Sequence, residues 1–365
     1  MSELRIAVIG AGHLGRIHAK LLGQVEGARL VAVSDPFEPA RKNAEELFAV
    51  PTHADYRDCL PDIDAAVVAA PTDMHADIAE TLMSAGKHVF AEKPLTITRD
   101  DANRLAAQAA ASKLTLQVGH VERFNPAFTA LEKLSVDVKY VEAVRASSFP
   151  GRCLDVGVVM DLMIHDLDLI LSMTDANVKS VSASGLAMIS DHEDLAEARI
   201  EFECGMVANV KASRVSHEPA RKMQVFGSNG FAEIDFGAPA LSVVRPCESV
   251  VNRSFDLATE VDNPLDYSGT LFSERLRCET LELEPRNAIL DELHDFVISI
   301  QTGIAPTVDG VAGARAVDLA QQVIESVATR AWYPNATTAE IGPHATVRER
   351  IEASSRRIHQ NRRAA

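Results

Sequence analysis

At 365 residues the chain is longer than one ordinary hydrophobic core, and two domains are expected. Apolar residues make up 47%, and the mean hydropathy is zero, a globular composition. The formal charge of −16 excludes a surface built for nucleic acid or an anionic membrane, because phosphate needs a basic face.

The first apolar run, residues 4–9, leads into Gly10-Ala11-Gly12-His13-Leu14-Gly15, and a helical pattern follows over residues 16–22. Strand, Gly-x-Gly-x-x-Gly and helix in that order are the context of a dinucleotide site. Gly10 permits the tight turn, Gly12 lets the backbone approach a pyrophosphate, and Gly15 lets helix and strand pack closely. The first-turn amides around His13 and Leu14, with the helix dipole, then face the phosphates. A second strand, residues 30–35, ends in Asp35, 20 residues beyond Gly15. A carboxylate there accepts from the adenosine ribose hydroxyls and repels a 2′-phosphate, which favours NAD over NADP.

The alternation repeats through a helix at 40–48, a buried strand at 65–70, a helix at 77–85, a strand at 88–91, a helix at 100–112 and a strand at 115–118. This spacing predicts a doubly wound parallel sheet, an α/β Rossmann domain over residues 1–122. Ligands of such sheets lie outside the carboxyl ends of the strands, where Pro71, Thr72, His75, Glu92 and Lys93 fall. These five join Gly10, Gly12, His13, Leu14, Gly15 and Asp35 as candidate cofactor-binding residues. Lys93, held before Pro94 at the end of a buried strand, is placed where a nicotinamide ring lies.

Beyond residue 122 the pattern changes. A helix at 126–134 and a strand at 138–147 precede a run of alternating strands, at 178–188, 196–204, 206–213, 222–227, 231–236, 241–245, 249–256 and 278–283. Tight-turn residues such as Gly227-Ser228-Asn229-Gly230 separate them. This predicts an α+β domain over residues 123–344 with a large, mostly antiparallel open sheet, closed by helices at 288–302 and 311–330. One sheet face is expected to meet another subunit. From residue 345 a basic tail carries six arginines.

Within this domain, residues 161–171 follow helical spacing. Asp161 and His165 are one turn apart on one face, which Asp168 extends. A carboxylate one turn from an imidazole fixes its tautomer, as a proton-transferring histidine requires. An ordinary ion pair on a solvated face is the alternative reading of the same spacing.

Gly10-x-Gly12-x-x-Gly15, Glu92-Lys93-Pro94 and Asp161-x-x-x-His165 with Asp168 together resemble the glucose–fructose oxidoreductase, inositol dehydrogenase and MocA (Gfo/Idh/MocA) family, over about residues 4–335. The resemblance implies hydride transfer between NAD and a sugar or cyclitol hydroxyl, and dimers or tetramers joined through the C-terminal sheet. It implies that His165 takes the hydroxyl proton, Lys93 holds the reacting oxygen and Asp161 orients or relays. The residues before the Asp-x-x-x-His helix carry one glycine, Gly157, where many members carry several. That wording, with residues 119–126, resembles the branch of UDP-N-acetylglucosamine 3-dehydrogenases. The resemblance makes Arg123, Asn125 and Arg152, with His165, candidates for the sugar or its diphosphate. A dehydrogenase of a free sugar or inositol is the alternative within the family; a non-catalytic dinucleotide-binding regulator is the alternative outside it.

The five cysteines, at 59, 153, 204, 247 and 278, include no C-x-x-C clip, so no zinc or redox motif is expected. No apolar run approaches the roughly 18 residues of a membrane span. The first strand begins almost at the initiator Met, leaving no leader. A reducing cytoplasm is the compartment expected.

Overall fold

The structure, a computed structural model, describes residues 3–149, 156–190, 192–256 and 274–329. It divides into two compact units, residues 1–125 with 285–321 and residues 126–284 with 322–365.

The first unit is the expected doubly wound domain. Six strands, β1 (Leu4–Ile9), β2 (Ala28–Ser34), β3 (Thr52–His53), β4 (Ala65–Val68), β5 (His88–Glu92) and β6 (Leu116–Gly119), form a parallel sheet in the order 3-2-1-4-5-6. The helices between them are α1 (His13–Leu22), α2 (Glu38–Phe48), α3 (Thr72–Ser84) and α4 (Arg99–Ser112). The sheet centre is fully buried, from Ile6, Ala7 and Val8 through Ala65–Val68 to Val89, Phe90 and Ala91, as continuous apolar runs require. The strand order reverses beside β1, so the ends of β1 and β4 open the crevice in which such sheets bind ligands. Helix α3 begins at Thr72 rather than residue 77, because Pro71 caps it with a φ already suited to a helix entry.

The second unit holds an eight-stranded sheet in the order 14-13-12-11-7-10-9-8. Its strands are β7 (Val138–Ala146), β8 (Val178–Leu186), β9 (Leu195–Phe202), β10 (Val207–Ser213), β11 (Ala220–Gly227), β12 (Gly230–Asp235), β13 (Ala240–Pro246) and β14 (Leu276–Leu281). All pairings are antiparallel except β7 with β10, which run parallel. Helices α5 (Pro126–Glu132) and α6 (Ile164–Ser172) pack on it. Side chains alternate along β7, with Val141, Ala143 and Arg145 buried and Lys139, Glu142 and Val144 exposed.

Two expectations are corrected. Residues 249–256 do not form a strand. Pro246 ends β13, α7 (Glu248–Val251) follows, Arg253 turns the chain at φ 57°, and β14 pairs directly with β13. Helix α8 (Ala288–Thr302), read as closing the second domain, belongs with the first unit, as does the start of α9 (Gly310–Ala328). Leu293, Phe296 and Val297 of α8 share one buried cluster with Ile6, Val8, Leu22 and Phe90. The Val118 amide also donates to the Val308 carbonyl. The apolar face of α8 is visible in the sequence; which core it fills depends on contacts nearly 300 residues apart. The basic tail from residue 345 lies outside the described residues.

Candidate active site

In the first unit the glycine loop is shaped by steric necessity. Gly10 has φ 98°, and a Cβ there would lie 2.5 Å from the Ala69 carbonyl oxygen. A Cβ on Gly15 would lie 1.8 Å from the Gly10 carbonyl oxygen, so only glycine lets α1 approach β1. Gly12 faces open space, with nothing within 4 Å of its ideal Cβ position. No side chain caps the α1 N-terminus and no acid occupies its first turn. Its outward amides are therefore left to an anion. His13 and Leu14 are exposed at this turn. These features fit a dinucleotide pyrophosphate.

The Asp35 carboxylate sits at the end of β2, accepting from the amides of Ala11 (2.8 Å) and Phe37 (2.8 Å). It thereby ties the glycine loop to the strand end where a ribose is expected. A cavity of about 860 Å³ beside α1 and β2 includes His13 but none of the other expected cofactor residues, so the loop itself, not that cavity, marks the site.

At the other strand ends, Pro71 is exposed and Thr72 half-buried. His75 is buried, and its two ring nitrogens face the carbonyls of Pro94 (3.0 Å) and Ala70 (2.8 Å). It was expected to touch the cofactor. Instead it braces α3 and the β4 end against the Glu92-Lys93-Pro94 turn, because both nitrogens are turned inward. Glu92 is also interior: Oε1 meets His18 Nε2 at 2.5 Å, and Oε2 accepts from the Lys93 amide at 3.3 Å. Burial pushes the Glu92 carboxyl up, but the His18 hydrogen bond and charge, helped by Lys93 and His75, hold it below the usual range. Lys93 itself is half-buried immediately after β5. Arg123 is half-buried on a short 3-10 helix, residues 121–124. Asn125 is buried, its side-chain amide donating to Glu122 at 3.1 Å, which makes it a brace for that turn. Arg152 lies outside the described residues.

In the second unit Asp161 falls in a π-helical turn, Val159–Met163, that runs directly into α6, which carries His165. Between residues 158 and 171 all side chains are buried except Asp161, Leu162 and His165. These three form one accessible edge. Asp168 is buried and does not extend it. π-Helical turns are costly and concentrate at functional sites.

Sequence reasoning missed the groups that hold this helix. Arg145 on β7 grips Asp166 through two bonds, 2.8 and 3.0 Å, with side chains only 4% and 1% exposed. Arg214 bonds Asp194 at 2.9 Å and the Val156 carbonyl at 2.9 Å. Glu193 presents its backbone carbonyl to the Val158 amide (2.8 Å) and its carboxylate to the Val159 amide (3.2 Å), capping the π-turn. A Cβ on Gly157 would lie 2.0 Å from the Glu193 carboxylate, so this single glycine leaves room for the cap. Burial pushes the Glu193 carboxyl up to about 7. The partners are 20 to 60 residues apart, and no local spacing marks them.

Comparison with known proteins bears on these two regions together. Residues 4–120 match the model of an oxidoreductase family with an NAD-binding Rossmann fold, and residues 137–233 match the GFO/IDH/MocA C-terminal domain. The UDP-N-acetylglucosamine 3-dehydrogenase of Acidithiobacillus ferrooxidans is 35% identical over 326 residues, 88% of this chain and 97% of that protein. The chain belongs to the Gfo/Idh/MocA family. As in the rest of this oxidoreductase family, its N-terminal domain is an NAD-binding Rossmann domain. The solved structure of the A. ferrooxidans enzyme superposes with a TM-score of 0.79 at 34% identity, covering 90% of this chain and 98% of that one. Inositol 2-dehydrogenase of Rhizobium meliloti, also similar to this Gfo/Idh/MocA chain, is 28% identical over 348 residues, 90% of this chain and 98% of that protein. Among the described residues, no helix is long and apolar enough to cross a membrane.

Proposed function

We propose that this protein is an NAD-dependent dehydrogenase that oxidises the 3-hydroxyl of UDP-N-acetylglucosamine. The observation that carries the reading is the 35% identity to an enzyme of that name across 97% of its length, against 28% for an inositol dehydrogenase matched as fully. The single glycine before the π-turn, in place of a glycine-rich run, supports a substrate other than a free polyol.

NAD, when bound, supplies the hydride acceptor. His165 takes the hydroxyl proton as the carbinol hydrogen leaves with its electron pair. Lys93 donates to the reacting oxygen while negative charge grows on it. Asp161, on the same accessible edge, orients the imidazole or relays its proton. Gly10, Gly12, Gly15 and the α1 amides hold the pyrophosphate, and Asp35 the adenosine ribose. Arg123 and Arg152 are the candidates for the substrate diphosphate. The first unit serves the cofactor; the second serves the sugar and oligomer formation. A homodimer or homotetramer through the open sheet is supported by Tyr140, Phe226 and Phe231, aromatic neighbours with ring centroids 5.8 and 5.4 Å apart on one half-exposed face. The cytoplasm is its proposed compartment.

The test is NADH formation with UDP-N-acetylglucosamine, other UDP-sugars, glucose and myo-inositol. Turnover is expected with UDP-N-acetylglucosamine and is expected to fall roughly 100- to 1,000-fold in Lys93→Ala. Absence of turnover across the UDP-sugars, with activity on inositol, overturns the substrate assignment.

A further inference from the structure

A second group of ionisable side chains lies inside the first unit, away from solvent. His18 on α1, Glu92 at the end of β5 and Glu292 on α8 are all buried, and their ligating atoms lie within 4.8 Å of one another. His18 Nε2 engages Glu92. Oε2 of Glu292 has no hydrogen-bond partner, and among the described residues no ion pair reaches Glu292. Two carboxylates this close, both buried and with a single imidazole beside them, cannot both be ionised without strong repulsion.

Either a proton or a cation must neutralise the second carboxyl. The geometry favours the proton. Nitrogen and oxygen ligands on one metal ion, each about 2.0–2.2 Å from it, stand roughly 3 Å or more apart. His18 Nε2 and Glu92 Oε1 are 2.5 Å apart, in direct hydrogen-bond contact. The surroundings agree. Helix α8 packs on α1 and on the 3-10 helix 121–124. Besides His18 and Glu92, the neighbouring elements bring His75, Lys93, His120, Glu122 and Arg123, and α8 itself brings Asp295. Burial first, then the charges of Glu92 and Asp295, push the Glu292 carboxyl well above its ordinary range. Asp295 is anchored by the Thr307 amide and hydroxyl at 2.8 and 3.0 Å.

We propose that Glu292 is a positioning residue that carries a proton at neutral pH, and that this neutral acid lets Glu92, clamped by His18, hold the Lys93 turn in the form that binds the dinucleotide. The link to Lys93 is the Glu92 carboxylate, which accepts from the Lys93 amide. When Glu292 ionises, its charge repels the Glu92 carboxylate and displaces it from the Lys93 amide. The inference rests on the reading of the β5 end as part of the cofactor site.

The test compares wild type with Glu292→Gln, which keeps the shape of the neutral acid. A carboxyl held protonated in the fold and ionised in the unfolded chain costs stability as pH rises. The variant is therefore expected to melt above wild type, by a margin that widens from pH 5.5 to 9. The infrared difference spectrum at pH 7 should show a protonated-carboxyl band in wild type that the variant lacks. By calorimetry, wild-type NAD affinity should fall about tenfold per pH unit once Glu292 titrates, while the variant's stays flat. A missing carboxyl band, a variant less stable at every pH, or a stoichiometric metal lost in the variant overturns the protonated acid. Equal pH dependence of NAD affinity in both proteins overturns the positioning role. Wild type that binds no NAD overturns the cofactor-site reading instead, and the melting and infrared measurements still decide the proton.

Discussion

The two units hold their candidate functional elements by different means. In the first, backbone geometry does it: side chains at Gly10 and Gly15 would run into carbonyl oxygens at 2.5 and 1.8 Å. In the second, buried charge does it: Arg145 with Asp166 and Arg214 with Asp194 brace the chain around the Asp161–His165 helix. Burial pushes the Asp194 carboxyl up, but the Ile189 and Ser190 amides, the Ser190 hydroxyl and Arg214 hold it well below the usual carboxylate range. A loop fixed by sterics is broken by adding atoms. A helix fixed by ions is broken by removing one partner, or by changing the pH.

That contrast is sharpest at Arg145. Its removal leaves Asp166 charged and buried, so Arg145→Ala is expected to lose about 3–5 kcal/mol in chemical denaturation. The double replacement Arg145→Met with Asp166→Leu should recover most of it, because no charge is then stranded. Failure of the double variant to recover stability would mean that the pair does more than neutralise itself.

Glu193 comes next. Its carboxyl titrates at about 7 in the fold, against an ordinary value of 4.5. The folded chain therefore holds a proton that the unfolded chain has released, and stability falls as pH rises from about 4.5 to about 7, then levels off. At 1.36 kcal/mol per pKa unit the loss is on the order of 3 kcal/mol. Glu193→Gln keeps an oxygen for the Val159 amide and should remove this slope from the melting temperature. A wild-type slope that survives in the variant assigns it to another group.

The smallest effect belongs to the glycine loop. Gly15→Ala forces α1 off β1 and is expected to cost on the order of 1–3 kcal/mol, with the NAD-induced rise in melting temperature lost. The loss should not vary with pH, in contrast to Glu193. A pH-dependent loss would blur the distinction between the two modes of support.

The same contrast explains what was legible in the sequence. Gly10, Gly12, Gly15 and Asp35 could be read because a strand, a turn and a helix within 35 residues impose their own constraints. The Asp161–His165 spacing could be read, and the structure adds that these two and Leu162 alone break the buried surface of their helix. His75 and Glu92 could be located but not their inward orientation, since His75 braces Pro94, 19 residues on, and Glu92 meets His18, 74 residues back. The apolar face of α8 was equally visible, yet its place in the first core rests on contacts with Ile6 and Val8. The Asp-x-x-x-His helix shows no trace in its own sequence of Arg145, Glu193 or Arg214.

In the proposed reaction, hydride leaves C3 of UDP-N-acetylglucosamine for NAD. UDP-N-acetylglucosamine deuterated at C3 tests it directly. With NAD and wild-type protein, the deuterium should appear in the reduced cofactor. NADH free of deuterium, with the label kept in the sugar product, would contradict it.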